Sequence, residues 1–568
     1  MFRLFTRFSA AVAIFMAAAV ACSEKDEMDY TVDSEIRINK TELEFDADQE
    51  SAKAYVRVSS TYKWKAETTV DWIQLSIREG EAGQEYKMIV SADQNRDFEV
   101  REGMVNIISG KWIKQIKVTQ GKAAKVLKPE EVPNYDKIHI PEIYSSYGYL
   151  RSDKPWYFGR SKQSEHFIIF WAKEYEEYGD ILPSDKSQGR YRVDIDALLA
   201  WAEKCFEYYT ETLKFVDHGK GKSYTDKYKM IIQLNRSTTW KAEGFGVDDV
   251  IGLLTVSPDA ANDYPTLAHE IGHIFQYQVY CDQLLNGEVK NDSRSGWRYS
   301  QGPKGSGIWE QTAQWQAHMM CPEATYQNYY FGVYCDNCNR HFLHEDMRYG
   351  SYFFHYYWIE KYGIDAVGKI WRGARAPEDA CQAYMSVYDL SLEEFNSHVY
   401  DFASRVATWD LIGIRDEGLK YLNRIPWKST KSDDGYYKVK SESCLEATGF
   451  NIIKLKDWTP GSEVSVDFVG LPNDASYNSS GDESVAGWTM GFVSLSDDGK
   501  TRTYSPSTTA TAATDNTASM SWTVPADCSN LWAVVACTPT EYISHGWDEN
   551  NTNDRHWGYK VKFTGANP

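Results

Sequence analysis

Two histidines four residues apart, with a glutamate beside the first, are the residues of this 568-residue chain whose spacing most directly suggests chemistry. The stretch reads Leu267-Ala268-His269-Glu270-Ile271-Gly272-His273-Ile274-Phe275-Gln276. On a helix of 3.6 residues per turn, His269 and His273 stack on one face and can share a metal ion. Leu267, Ile271 and Ile274 or Phe275 then turn to a core while His269, Glu270 and His273 line a cleft. Imidazole ligands with one position left open for water suit Zn2+ best. Glu270 takes the place of a general base acting on that water. A surface helix with two unrelated histidines would carry the same motif, so the reading needs a third ligand.

Further along, Gly307-Ile308-Trp309-Glu310-Gln311-Thr312-Ala313-Gln314-Trp315 predicts a Gly-rich loop entering a second helix with a glutamate in its first turn. The pair of segments resembles the gluzincins, zinc peptidases whose third ligand is a glutamate on a later helix. That resemblance implies His269, His273 and Glu310 as metal ligands; if Glu310 were not the third, Asp346 is the alternative. The longer metzincin motif is absent, because Gln276 and Val279 stand where it has Gly and His. Zinc hydrolases also need a hydrogen-bond donor for the oxyanion, usually His or Tyr. Tyr352, His355 and Tyr356, in the aromatic run from Tyr349 to Trp358, are the candidates, although so dense a run also reads as core. Gln314, one turn after Glu310, can orient a ligand.

These helices need a frame. Ser164 to Trp171, Met230 to Leu234 and Gly252 to Ser257 read as buried strands, and Asp194 or Asp196 can cap a helix presenting Leu198, Trp201, Cys205 and Leu213 on one side. Gly252 to Ser257 is expected to be an open edge on which an extended peptide docks by backbone hydrogen bonds. Ser391-x-x-Glu394 is a capping box opening a later helix. From residue 136 to 430 this order resembles a zincin-like α+β metallopeptidase domain. The residues His269-Glu270-Ile271-Gly272-His273 with Phe275-Gln276, and Trp309-Glu310 with Ala313-Gln314-Trp315, resemble an uncharacterised family of secreted zincin-like proteins. They are more distantly similar to enhancin-like, mucin-targeting metallopeptidases.

The flanking regions read as β. Between residues 35 and 121, Ala54, Val56 and Val58, Val105 and Ile107, and Ile116 and Val118 alternate with polar residues, predicting a small Ig-like β-sandwich. Trp64, Trp72, Gly83, Asn95, Arg101-Glu102-Gly103 and Val118-Thr119-Gln120 resemble the BACON domain of Bacteroidetes surface proteins. The family name implies carbohydrate binding; a spacer role fits the same residues. Residues 122–135, with Pro129 and Pro133, read as a linker. From 431 to 568, alternation at Val464, Val466 and Phe468 and the runs Trp488 to Leu495 and Leu531 to Val535 predict a C-terminal β-sandwich, with a Ser/Thr/Ala-rich hairpin from Ser505 to Ser519. Asp548 to Asp554 is a polar loop with oxygen donors enough for calcium, and Trp547 and Trp557 could meet a glycan.

Arg3 and Arg7 precede a short apolar run ending in Ala19-Val20-Ala21-Cys22, an export signal over residues 1–22. The ending resembles a bacterial lipobox with Cys22 as the lipidated residue, although Ala19 stands where Leu is usual and ordinary cleavage near Ala21 is the alternative; the acidic tract Ser23 to Glu27 resembles the surface-export signal of Bacteroidetes lipoproteins, opening a tether over 23–34. The expected location is therefore the outer membrane at the cell surface, held through the N-terminal lipid alone. A net charge of −20 excludes nucleic acid and anionic membrane surfaces as partners. Nine cysteines follow Cys22; an odd number leaves one thiol free. Cys335-Asp336-Asn337-Cys338 with His341 and His344 is too cramped for a usual zinc finger, and export favours a disulfide. Two functions stand: a lipid-anchored extracellular zinc endopeptidase acting on protein or glycoprotein, and a glycan- or protein-binding lipoprotein whose zincin-like domain does not cut.

Overall fold

The computed structural model describes residues 27–48, 52–177, 182–290, 306–477, 483–546 and 554–568. The export signal, Cys22 and the polar loop from Asp548 to Asn553, with Trp547, lie outside the described residues. The chain forms two compact units that meet between Lys125 and Val126.

In the first unit, period-two alternation buries one face of each strand, and two such faces make a sandwich. One sheet runs Ile36–Ile38, Lys53–Ser60, Glu85–Ala92, Ile73–Leu75; the other runs Glu42–Phe45, Trp112–Gln120, Arg101–Ser109, Trp64–Thr68, Glu79–Gly80. Val56, Val58, Trp64, Met88, Val90, Val105, Ile107, Ile116 and Val118 form the core between them. The residues that carry the BACON resemblance are framework. A Cβ at Gly80 would fall 2.5 Å from the Trp64 indole. Asn95 Nδ2 donates to the carbonyls of Glu99 and Gly121, Arg101 donates to Gln120, and its guanidinium stacks 4.4 Å over Trp72.

The expected linker over 122–135 is shorter than its prolines suggest. Val126 bridges to Arg151, and Val132 is buried in the core of the second unit. That unit begins with a five-stranded sheet in the order Ser161–Gln163, Phe167–Trp171, Met230–Leu234, Ile251–Val256, Ala242–Val247. The three central strands are parallel and buried throughout, as strands covered on both faces must be. Ile251–Val256 is thus interior, not the expected edge; the edge is Ala242–Val247, antiparallel to it. Asp194 caps the helix Ile195–Glu207 by accepting the Ala197 amide. Phe206 of this helix meets Phe275 of the 22-residue helix Tyr264–Leu285, and Tyr209 just beyond it donates to the carbonyl of Ala268.

Helices Ser306–Met320, Phe353–Tyr362 and Leu392–Val406 follow, the last with the expected capping box. A second sandwich closes the chain. One sheet runs Ser429–Lys431, Tyr437–Val439, Gly558–Thr564, Glu463–Leu471, Thr517–Thr523; the other runs Phe450–Leu455, Cys528–Cys537, Gly487–Ser496, Arg502–Tyr504. The expected Ser/Thr/Ala hairpin is a crossover instead: Thr508–Thr511 pairs with Gly487–Ser496 while Thr517–Thr523 pairs with the opposite sheet. Phe450, Ile452, Val493 and Trp532 join the core of the helical region, where Phe402 packs on Phe450. The segment boundary at 430 is therefore not a break in the core. Trp557 is buried inside this sandwich, which removes it as a glycan contact. No disulfide forms among the described residues: all nine cysteines are free and buried, Cys335 and Cys338 included.

Candidate metal centre

The helix Tyr264–Leu285 lies flat on the last two strands because glycines let it. A Cβ at Gly244 would stand 2.2 Å from the carbonyl oxygen of Glu270, one at Gly246 would strike the Tyr277 ring, and one at Gly252 would meet Ile274 at 2.6 Å. This close approach sets His269, Glu270 and His273 against the edge strand, all three nearly buried. Gly272 does the same toward the next helix, where a Cβ would lie 2.7 Å from Gln316. Helix Ser306–Met320 can then bring Glu310 over both imidazoles.

Glu310 Oε2 lies 3.1 Å from His269 Nε2 and 3.3 Å from His273 Nε2. The far side of each ring is fixed by a glutamine. His273 Nδ1–H donates to Gln276 Oε1 at 3.0 Å, and Gln276 is held in that orientation because its Nε2 donates to the carbonyl of Trp309. His269 Nδ1–H donates to Gln314 Oε1 at 2.7 Å, the ligand-orienting role expected of Gln314. Both Nε2 lone pairs therefore face the Glu310 carboxylate, with the donor atoms of all three residues within 4.8 Å of one another. Electron-rich groups converging like this repel unless a cation stands among them. Where no ion is bound a proton takes its place: burial works against charge at His273, yet Glu310 raises its pKa to about 9, so the proton sits between Nε2 and the carboxylate; burial likewise opposes charge at Glu310, but His273 and His269 hold its carboxyl low. The residues present fit a zinc-type ion: two imidazoles and one carboxylate, with a cavity of about 550 Å³ opening beside them.

Glu270 turns toward the edge strand, where its Oε2 accepts the Gly244 amide at 2.6 Å. Tyr352 and His355 do not reach the cavity. The Tyr352 hydroxyl donates to the carbonyl of Thr325 and accepts from Asn328, while His355 Nε2 bonds Thr312 and its ring stacks on Trp315. Tyr356 is turned the same way, its hydroxyl near Thr325. Burial pushes the His355 pKa down to about 3. From Phe353 to Ile359 the helix is buried at every position, and this corrects the expectation that it supplies the oxyanion donor.

What does line the cavity is Tyr349, just before that helix, and His318, two turns beyond Glu310. The Tyr349 ring sits 6.0 Å from that of His269. His318 is 2 % exposed, and neither of its ring nitrogens has a hydrogen-bond partner among the described residues. Burial, with His269 beside it, pushes its pKa down to about 3, so the ring is neutral. The one sequence signal for His318 is its spacing of four and eight from Gln314 and Glu310 along one helix; for Tyr349 there is none. Asp346, the alternative third ligand, pairs with Arg340 and takes no part in the cluster.

The fold and site define a mixed α+β chain with an N-terminal β-sandwich and a histidine–carboxylate centre. Residues 130–568 match the model of a family of unknown function, DUF6055, and the chain belongs to that family. Residues 62–121 match the BACON model, described as an N-terminal binding domain. No curated protein matches. Among solved structures, the chain is similar to a Bacteroides ovatus GH5 xyloglucanase in complex with a XXXG heptasaccharide, at 12% identity over 44% of this chain and 63% of that one, TM-score 0.16. A protein from Bacteroides thetaiotaomicron matches at 13% identity over 18% of this chain and 97% of that one, TM-score 0.11. The chaperone–tip adhesin complex of Acinetobacter baumannii Csu pili matches at 9% identity over 20% and 64%, TM-score 0.14. The chain thus spans less than two thirds of the xyloglucanase and of the matched chain of the Csu complex, and TM-scores this low carry no argument.

Proposed function

We propose that the protein is a zinc-dependent endopeptidase of gluzincin type, acting on proteins or glycoproteins outside the cell and anchored there by lipid on Cys22. The observation that carries the reading is the convergence of His269, His273 and Glu310, with both Nδ1 protons tied to glutamines so that two lone pairs point at one place. A zinc ion held by these three residues would supply Lewis-acid polarisation of water and of the scissile carbonyl.

The chain's own residues do the rest. Glu270 is not needed as a ligand; it stands beside the pair as the base that takes the proton from the attacking water and passes it to the leaving amine. The outer side of the Ala242–Val247 edge, beyond the Gly244 amide that Glu270 takes up, offers backbone groups to an extended peptide, which places a peptide bond across the cavity next to Glu270. Tyr349, or His318 as a neutral donor, stabilises the charge that develops on the carbonyl oxygen.

The test uses a panel of peptides and glycoproteins incubated with purified protein, read by mass spectrometry for new termini. Cleavage that vanishes in Glu270→Gln is the expected outcome. Binding without cleavage by either protein would favour the alternative, a surface lipoprotein that binds glycan or protein, for which the BACON match is the specific support.

A further inference from the structure

Seven ionisable groups crowd a second place in this unit, away from the first centre. His341, His344 and Glu345 come from the turn after helix Tyr329–Asn337; Glu446, His545, Asp554 and His556 come from the closing sandwich and its loops. Glu345, Glu446 and Asp554 are 3 %, 2 % and 5 % exposed. Three buried carboxylates in one cluster require compensating charge, because an isolated ionised carboxylate is very costly away from water. Of the guanidiniums at hand, Arg340 is paired with Asp346 at 3.0 Å, and Arg555, beside Asp554 on the cavity wall, is exposed.

The ring contacts show where that charge belongs. His545 Nε2–H donates to Glu345 Oε2 at 2.9 Å, so its Nδ1 lone pair faces Asp554 Oδ1, which lies 3.6 Å away. Asp554 Oδ2 is 3.3 Å from His344 Nε2. One donor atom each from His344, His545 and Asp554 falls within 4.8 Å of the others. Glu446, Asp554 and His556 form an overlapping trio, so Asp554 is common to both. Glu345 Oε1 is buried with no hydrogen-bond partner. The His344 and His545 rings stack 4.8 Å apart, and His341 and His545 5.4 Å apart. Protonating such a stack would press like charges together, whereas one divalent ion neutralises the carboxylates and leaves the rings neutral.

We propose that His344, His545 and Asp554 hold a second divalent metal ion, zinc by the chemistry of two imidazoles and a carboxylate. Glu345 orients His545 from behind, as carboxylates do for metal-bound histidines. The ion ties the turn after residue 340 to the closing sandwich, and a polar cavity of about 330 Å³ lined by His341, His545 and Asp554 gives it an entry path. At His344 the Asp346 amide approaches Nδ1 at 3.1 Å and Arg340 Nη1 approaches Nε2 at 2.7 Å. No protonation state of a free imidazole satisfies two donors. Binding at Nε2 requires Arg340 to withdraw toward Asp346 and the ring to shift, so that Nδ1, which here meets the Asp346 amide, turns its proton to Glu345 Oε2, 3.9 Å away.

The test is metal content by mass spectrometry of the full chain purified with zinc. Wild type should carry two ions; His269→Ala should keep one, and His269→Ala combined with His545→Ala and Asp554→Asn should keep none. If His269→Ala carries as much zinc as wild type, the first-centre reading fails while this one is judged on the His545 and Asp554 changes alone. A wild-type zinc content in a folded His545→Ala, Asp554→Asn protein would overturn the second site. Should that variant not fold, zinc titrated into His269→Ala must raise its melting temperature; an unchanged melt overturns the site equally.

Discussion

At His269 and His273 the ring protons go to glutamine oxygens; at His545 and His556 they go to the carboxylates Glu345 and Glu446, each at 2.9 Å. An amide oxygen fixes a ring without adding charge, so at the first centre a divalent ion is balanced by Glu310 and Glu270 alone. At the second, three buried carboxylates surround the rings and an ion there would be wholly enclosed by negative charge. The first arrangement would leave a bound metal acidic and open to a cavity, which would suit reaction. The second would hold an ion tightly and leave little for it to do but join two parts of the chain. What separates them most sharply is Glu270, for the second cluster has no free carboxylate set beside its rings against an open strand.

Replacing Glu270 is therefore the largest expected effect. Glu270→Gln removes the basic group and keeps the shape, and general-base assistance is worth ~10²–10⁴-fold in rate. Hydrolysis should fall by that factor with zinc at the first centre retained. Equal rates in wild type and variant would end the proposed mechanism and leave the two clusters equivalent in kind.

The contrast between the clusters also explains what a reader of the sequence can see. His269, Glu270 and His273 are legible because one helix carries them, and Glu310 because it opens a second helix with Trp309 and Gln314 around it. His545 and Asp554 come some 200 residues after His344 in the chain, with no shared element, so no spacing announces them. The edge is one strand further out than the apolar runs suggest, because Ala242-Glu243-Gly244-Phe245-Gly246-Val247 lacks apolar alternation. Its glycines serve the helix that lies against it, which is a tertiary reason. Tyr352 and His355 look like site residues for the opposite reason: a helix apolar or aromatic on all sides shows no face, and only packing reveals that it has none toward the cavity.

A smaller effect is expected from the glutamines. Gln276→Ala should free the His273 ring and weaken zinc binding at the first centre by ~10–100-fold, measured by competition with a chromophoric chelator. The second cluster should not respond. A variant that binds as wild type would mean that the helix alone orients the ring.

Gly244→Ala probes the frame of the first centre, which the second cluster does not share. Its methyl group would meet backbone, the Glu270 carbonyl, so neither partner can yield cheaply. Overpacking of this kind costs about 1–3 kcal/mol, to be read as a lower urea midpoint. Hydrolysis should fall as well, since the strand and Glu270 are pushed apart. An unchanged midpoint would show that the helix can lift from the strand without loss.

The smallest effect concerns a carboxyl that has neither metal nor histidine. Asp282 lies on the same helix as the first centre, 8 % exposed, with Oδ1 accepting from Gln278 Nε2 and the Tyr224 amide. Burial raises its pKa from 3.8 to about 7, outweighing those hydrogen bonds. Buried without a cation, it is neutralised by a proton. The folded chain then binds more protons than the unfolded chain between pH 3.8 and about 7. Stability from this group is complete below the unfolded value and is lost as pH rises through the folded one, at on the order of 1 kcal/mol per pH unit. Asp282→Asn mimics the protonated acid and does not titrate. The melting temperature of the variant relative to wild type should therefore climb between pH 5 and pH 8. A constant difference across that range would mean that Asp282 stays ionised in the fold, and that a cation, not a proton, stands beside this third carboxyl as well.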